Sequence, residues 1–141
     1  MPSFRDPALS GEVVTGIDST GQNGPMELEY DERPWGNYTV LSDADDHKVK
    51  EIVVLPGKRL SYQQHAKRSE HWFVVRGNGT VTLDGVDVPV GPGSTIDVGL
   101  EMPHRMANTG DEELLFVEVQ HGTYFGEDDI IRLDDDFGRA Q

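Results

Sequence analysis

The chain has 141 residues, 26 of them acidic and 12 basic, for a formal charge of −14 and a pI near 4.5. A phosphate backbone needs a basic footprint, so this balance excludes nucleic acid as an expected partner and disfavours an anionic membrane surface. The absence of cysteine removes disulfides and thiolate chemistry, and leaves any metal to nitrogen and oxygen donors.

The length suits one domain able to bury a real core. No apolar run approaches the roughly 20 residues of a membrane span, and Met1-Pro-Ser-Phe-Arg5 lacks an apolar signal core. A cytoplasmic location is the default expectation. Residues 1–29, rich in Gly, Ser, Thr and Pro, form an N-terminal arm, flexible or contacting a partner. Within it Val13-Val14 could add a short strand to a neighbouring subunit. Residues 30–141 form a single domain. Pro34 bars Arg33 from a helical conformation, and Tyr38 to Leu41 reads as a first strand. From Lys48 to Leu55 the pattern alternates, with Val49, Val53 and Leu55 on one face and Glu51 interrupting it.

Further on, Trp72 to Val75 reads as a buried strand, and Asn78-Gly79 is a hairpin signal. Thr80 to Leu83 ends at the turn Asp84-Gly85, and Pro89 marks Val86 to Val90 as an edge strand. Strands follow at Ser94 to Val98, His104 to Asn108 and Glu113 to Gln120, where Leu115, Val117 and Val119 face one way and Leu114 and Phe116 the other. The acidic runs at residues 43–46, 127–129 and 134–136 read as solvated surface. A short helix or ordered loop, packed by Ile130, Leu133 and Phe137, closes the chain. Turns at this spacing predict an all-β sandwich or barrel.

The chemistry concentrates between Gly57 and Gly77. Gln63 and His65 lie two apart, so on a strand both leave the same face. Glu70 follows a turn and opens the next strand, and His104 sits at a later turn-strand junction. These four side chains are candidates to hold one divalent metal inside a β-barrel. Imidazole and carboxylate donors suit zinc, and also ferrous iron, manganese, nickel or cobalt. His71 alternates away from Glu70 and either packs or supports a ligand side chain, or else contacts substrate or transfers a proton; Lys58 is the other candidate base. His47 and His121 read as surface residues, and Trp35 and Trp72 as core.

Gly57 to Gly77 resembles the first cupin motif, with Gln63 where its first histidine is commonest. Gly93 to Asn108 resembles the second, with Gly99 and Glu101 in place of a proline and a glycine. Arg33-Pro-Trp-Gly-x-Tyr38, Leu60-Ser-x-Gln63-x-His65, Arg68-x-Glu70-His71-Trp72, Val119-Gln120 and Tyr124-x-Gly-Glu-Asp-Asp129 together resemble the type II mannose-6-phosphate isomerase cupin domain, often the C-terminal part of a bifunctional mannose-1-phosphate guanylyltransferase. The resemblance runs from about Arg33 to Arg139. It implies a cupin double-stranded β-helix, a zinc ion on Gln63, His65, Glu70 and His104, and a sugar phosphate as substrate. It also implies phosphate contacts from Arg68, Arg132 and Arg139, with Arg68 close to the chemistry, and a homodimer. The implied reaction is aldose-ketose isomerisation of mannose 6-phosphate. Another metal-dependent sugar isomerase or epimerase, or a cupin that only binds sugar, are the alternatives. No glycine-rich nucleotidyltransferase signature is present, so sugar-nucleotide synthesis is not expected.

Overall fold

Runs of β-branched and aromatic residues, punctuated by Gly, Pro and Asp, favour strands joined by tight turns. The computed structural model describes residues 13–17 and 23–138, and strands dominate them. A hairpin of β1 (Val13–Ile17) and β2 (Asn23–Glu27) comes first, with Val13 opposite Glu27. Val13 and Val14 therefore pair with β2 of their own chain.

Two larger antiparallel sheets follow. Their strands are β3 (Tyr30–Arg33), β4 (Gly36–Asp43), β5 (His47–Val54), β6 (Tyr62–His65), β7 (Arg68–Arg76) and β8 (Gly79–Leu83), then β9 (Val86–Val90), β10 (Thr95–Val98), β11 (His104–Asn108), β12 (Leu114–Gly122) and β13 (Ile130–Asp134). One sheet has the order β10-β7-β12-β5-β4-β3, the other β13-β6-β11-β8-β9. From β5 onward the chain crosses between the sheets at every connection except the β8–β9 hairpin. That is the all-β double-stranded β-helix expected of a cupin. Trp72, Val74 and Phe116 from the first sheet meet Val81 and Met106 from the second, and all are essentially water-free.

Several local readings change. In β5 the inward face is Lys50, Ile52 and Val54, while Val49 and Val53 are half-buried and Leu55 is exposed. The expected phase is off by one residue, because a lysine occupies an inward position. Asn78-Gly79 does not fold β7 back on β8, since the two strands belong to different sheets. Gly77 adopts φ +89°, and a Cβ there would stand 2.7 Å from the Glu113 carbonyl oxygen. The backbone thus turns a corner between sheets in a space only glycine fills. Asp84-Gly85 is the hairpin turn of β8 and β9, and Pro89 does lie on an edge strand.

At the C-terminal end, a 3-10 turn (Glu127–Asp129) leads into β13 at the edge of its sheet. Ile130 is buried and Phe137 packs on the core, but Leu133 is exposed because an edge strand presents alternate residues to water. Replacing Gly77 by Ala should destabilise the domain by about 1–3 kcal/mol in chemical unfolding, from left-handed backbone strain and the carbonyl clash. A loss below about 0.5 kcal/mol would contradict the corner geometry.

Candidate metal centre and its cavity

Three strands from both sheets converge on one point. β6 ends on His65, β7 carries Glu70, and β11 begins with His104. His65 Nε2 lies 3.3 Å from Glu70 Oε2, and His104 Nε2 lies 3.7 Å from Glu70 Oε1. Donor atoms on the three side chains all fall within 4.8 Å of one another, and all three residues are buried. Donors about 2.0–2.2 Å from one tetrahedral ion stand roughly 3.4 Å apart, so the cluster fits a shared divalent ion with small adjustment. Gln63 faces His104 across the β6–β11 pairing and lines the same cavity.

The surroundings fix each donor. His104 Nδ1 donates to the Met102 carbonyl at 2.8 Å, which leaves the Nε2 lone pair toward the cluster. Glu70 accepts from Trp72 Nε1 at 3.0 Å and from Arg68 Nε at 2.9 Å. A second Arg68 nitrogen stands 3.2 Å from His65 Nε2. The guanidinium thus touches two of the three donors, and a cation shared among them competes with it or shifts it. Buried His65 Nδ1 has no hydrogen-bond partner. Burial first, then the positive charge of Arg68, pushes the His65 imidazole down to about 2, so it is a neutral donor. Burial also lowers His104, against the pull of its Met102 hydrogen bond.

The loop before His104 departs from the cupin pattern in sequence, at Gly99 and Glu101. Glu101, in the place of the motif glycine, takes the left-handed conformation itself at φ +56°. Its N–H donates to the His65 carbonyl at 2.6 Å, tying the loop to the ligand strand. Asn108 bonds the carbonyls of Val54 and Glu112, so it holds the far end of β11 rather than the site.

Above the cluster opens a cavity with about 610 Å³ of empty space, counting the part open to solvent. Gln63, Arg68 and Arg132 line it as the sequence suggested. His71 does not. It leaves the outer face of β7, with its side chain 53% exposed, and its Nδ1 pairs with Asp97 at 2.5 Å. Strand alternation, which buries Glu70 and Trp72, sends His71 out. Lys58 sits exposed on the turn before β6 and is absent from the cavity wall. Neither candidate base reaches the cavity. Arg139 lies outside the described residues. Trp35 and Trp72 are both buried in the core as expected, and both reach the cavity wall.

Two groups escaped the sequence reading. Lys50 on β5 and Glu118 on β12 both face inward and pair across the sheet. Burial first, then the charge of Glu70, raises the Glu118 carboxyl to about 7. Glu118 stands beside Glu70 and accepts from Gln120 Nε2 at 2.6 Å. Both could have been found by extending the inward phase of Ile52-x-Val54 backward and of Leu114-x-Phe116 forward.

Comparison with known proteins places this geometry in a family. The family model described as mannose-6-phosphate isomerase C-terminal matches residues 25–135. The chain belongs to that family. Similar proteins include the alginate biosynthesis protein AlgA of Pseudomonas aeruginosa, 40% identical over 128 residues, with 91% of this chain and 27% of that protein covered. The mannose-1-phosphate guanylyltransferase of Escherichia coli is 42% identical over 129 residues, covering 92% of this chain and 27% of that protein. The chain thus spans about a quarter of these relatives' length. Among solved structures, a Klebsiella pneumoniae protein with a double-stranded β-helix domain superimposes with TM-score 0.59 at 21% identity, covering 62% of this chain and 77% of that one. That likeness speaks to fold alone.

His65 stays neutral when folded but takes up a proton near pH 6.5 when unfolded, so its contribution to stability is lost as pH falls below 6.5. After chelation, stability of the wild type should drop between pH 6.5 and 5.5 more steeply than that of His65→Gln, by up to about 1.4 kcal/mol per pH unit. Parallel curves in urea unfolding would contradict a buried neutral His65.

Proposed function

We propose that this domain converts mannose 6-phosphate to fructose 6-phosphate with zinc as the resident ion. The observation that carries this reading is a His-Glu-His cluster beneath a cationic cavity, in a member of this family whose formal charge is −14. Five basic side chains, Arg33, Lys50, Arg68, Arg105 and Arg132, line the cavity against Glu70, Glu118 and Glu127. Local positive charge of this kind draws an anionic ligand to an otherwise acidic protein.

His65, Glu70 and His104 would hold the ion, with the Gln63 amide oxygen as a fourth, neutral donor. One carboxylate against a 2+ ion leaves net positive charge at the cavity floor. The bound ion would supply Lewis-acid polarisation of the sugar's carbonyl and neighbouring hydroxyl. In the reaction a proton leaves C2 of the open-chain aldose, its electron pair forms the C1–C2 double bond, and a proton returns to C1. The hydroxyl proton passes from O2 to O1, so no outside oxidant or reductant takes part.

Arg132 supports the phosphate end. It rises from edge strand β13 into the cavity wall, and no ion pair engages it among the described residues. A guanidinium fork there matches two phosphate oxygens at once. Arg105 is otherwise occupied, by the Leu60 carbonyl at 2.8 Å and Asp134 at 3.2 Å. Arg68 holds Glu70 in place. The relatives' roles, alginate biosynthesis and mannose 1-phosphate guanylyl transfer, favour a mannose-type sugar phosphate.

Purified protein should contain about one zinc per chain and turn mannose 6-phosphate over in an assay coupled to fructose 6-phosphate formation. His104→Ala should lose the metal. Arg132→Ala should keep it and raise KM at least about tenfold, the worth of a charge-assisted hydrogen bond. One equivalent of metal with no turnover of any hexose phosphate would sink the isomerase reading. Full metal content in His104→Ala would sink the donor set.

A further inference from the structure

Of the cavity's cations, Arg33 pairs with Asp31 at 3.0 Å, Arg68 with Glu70 at 2.9 Å and Arg105 with Asp134 at 3.2 Å. Two, Lys50 and Arg132, make no ion pair within 4 Å among the described residues, and they stand on opposite walls. Arg132 belongs to the five-stranded sheet and is partly exposed. Lys50 belongs to the six-stranded sheet and is only 8% exposed.

Lys50 occupies the inner row of β5, between Val40 on β4 and Glu118 on β12. Its Nζ stands 4.4 Å from the centroid of the Tyr38 ring, a contact that steadies the ammonium without satisfying its three donors. The position is close to the ligand cluster. Glu118, its cross-strand neighbour, stands beside Glu70, and the Lys50 charge is among those that disfavour protonation of His65. Glu118 is near but forms no ion pair with Lys50, and a buried ammonium held that loosely is unfavourable for folding alone, where a methionine would fill the same space. It becomes favourable once an anionic oxygen enters.

We propose that Lys50 is a catalytic residue whose ammonium donates to the C1–C2 oxygens of the bound sugar as negative charge develops there. The substrate class rests on the isomerase reading above. Arg132 grips the phosphate, and Lys50, on the facing wall, meets the reacting end. The sugar chain spans the cavity between them.

The test uses the zinc-loaded full chain and two five-carbon probes in calorimetry. One is an aldonohydroxamate 5-phosphate, whose adjacent oxygens carry the charge the reaction develops. The other is the corresponding phosphorylated alditol, which keeps the phosphate and hydroxyls but lacks that charge. Wild type should favour the hydroxamate. Lys50→Met should weaken hydroxamate binding at least about tenfold, the scale of a hydrogen bond to a charged group, and alditol binding less than about threefold. Zinc content should stay at the wild-type level. Equal weakening of both probes, weakening of neither, or a wild type that does not favour the hydroxamate would overturn the assignment. Should Lys50→Met fail to fold, Lys50→Gln is read on the same scale. A wild type that turns over no hexose phosphate, yet loses its hydroxamate preference in Lys50→Met, removes the isomerase reading and keeps Lys50. Turnover that survives Lys50→Met unchanged does the reverse.

Discussion

The Glu70 carboxylate is the constraint on which the site depends. It is buried, it stands within 4 Å of an imidazole on either side, and its oxygens accept from Trp72 and Arg68. His65 and His104 come from one sheet and Glu70 from the other, so this carboxylate joins the sheets at one end of the barrel. A buried carboxylate is tolerated only when donors surround it. Each donor here is set by strand geometry. Trp72 is two residues along β7 on the same face, and Arg68 is two residues back. The local alternation of a single strand thus supplies both the charge and the groups that make its burial possible.

Charge near Glu70 is arranged in layers. Neutral imidazoles face it, the Arg68 guanidinium bonds it, and Glu118 beside it holds its proton to about pH 7 because it is buried next to another carboxylate. Moving outward, the balance turns positive along the cavity wall, and only beyond the barrel does the chain show the acidity of its composition. An anion therefore meets local positive charge at the cavity wall and not across the acidic outer surface. The arrangement suits selection of a small ligand rather than steering from a distance.

Much of this was legible in the sequence, and the exceptions share a cause. Gln63 and His65 at a spacing of two, Glu70 at the start of an apolar run and His104 after a turn were enough to assemble the cluster, because period-two alternation fixes which side chains share a face. The edge position of Pro89 and the Asp84-Gly85 turn followed from backbone chemistry alone. Alternation failed where polar residues face inward. Lys50 and Glu118 broke the apolar pattern of β5 and β12, so the inward phase was lost on β5 and ended too early on β12, and both cavity groups went unseen. Asn78-Gly79 misled because a two-residue turn signal cannot tell a hairpin from a corner between sheets. That distinction lies in the close approach of Gly77 to Glu113, a contact between distant parts of the chain. His71 was drawn in by its place beside Glu70, although the same alternation that buries Glu70 turns it outward.

Anomalous diffraction from zinc-loaded crystals, recorded at the zinc edge, tests the convergence of these three strands most directly. A single strong peak should stand about 2.0–2.2 Å from His65 Nε2, His104 Nε2 and a Glu70 oxygen, with Arg68 withdrawn from His65. A peak elsewhere on the protein, with Arg68 still bonded to both His65 and Glu70, would contradict it.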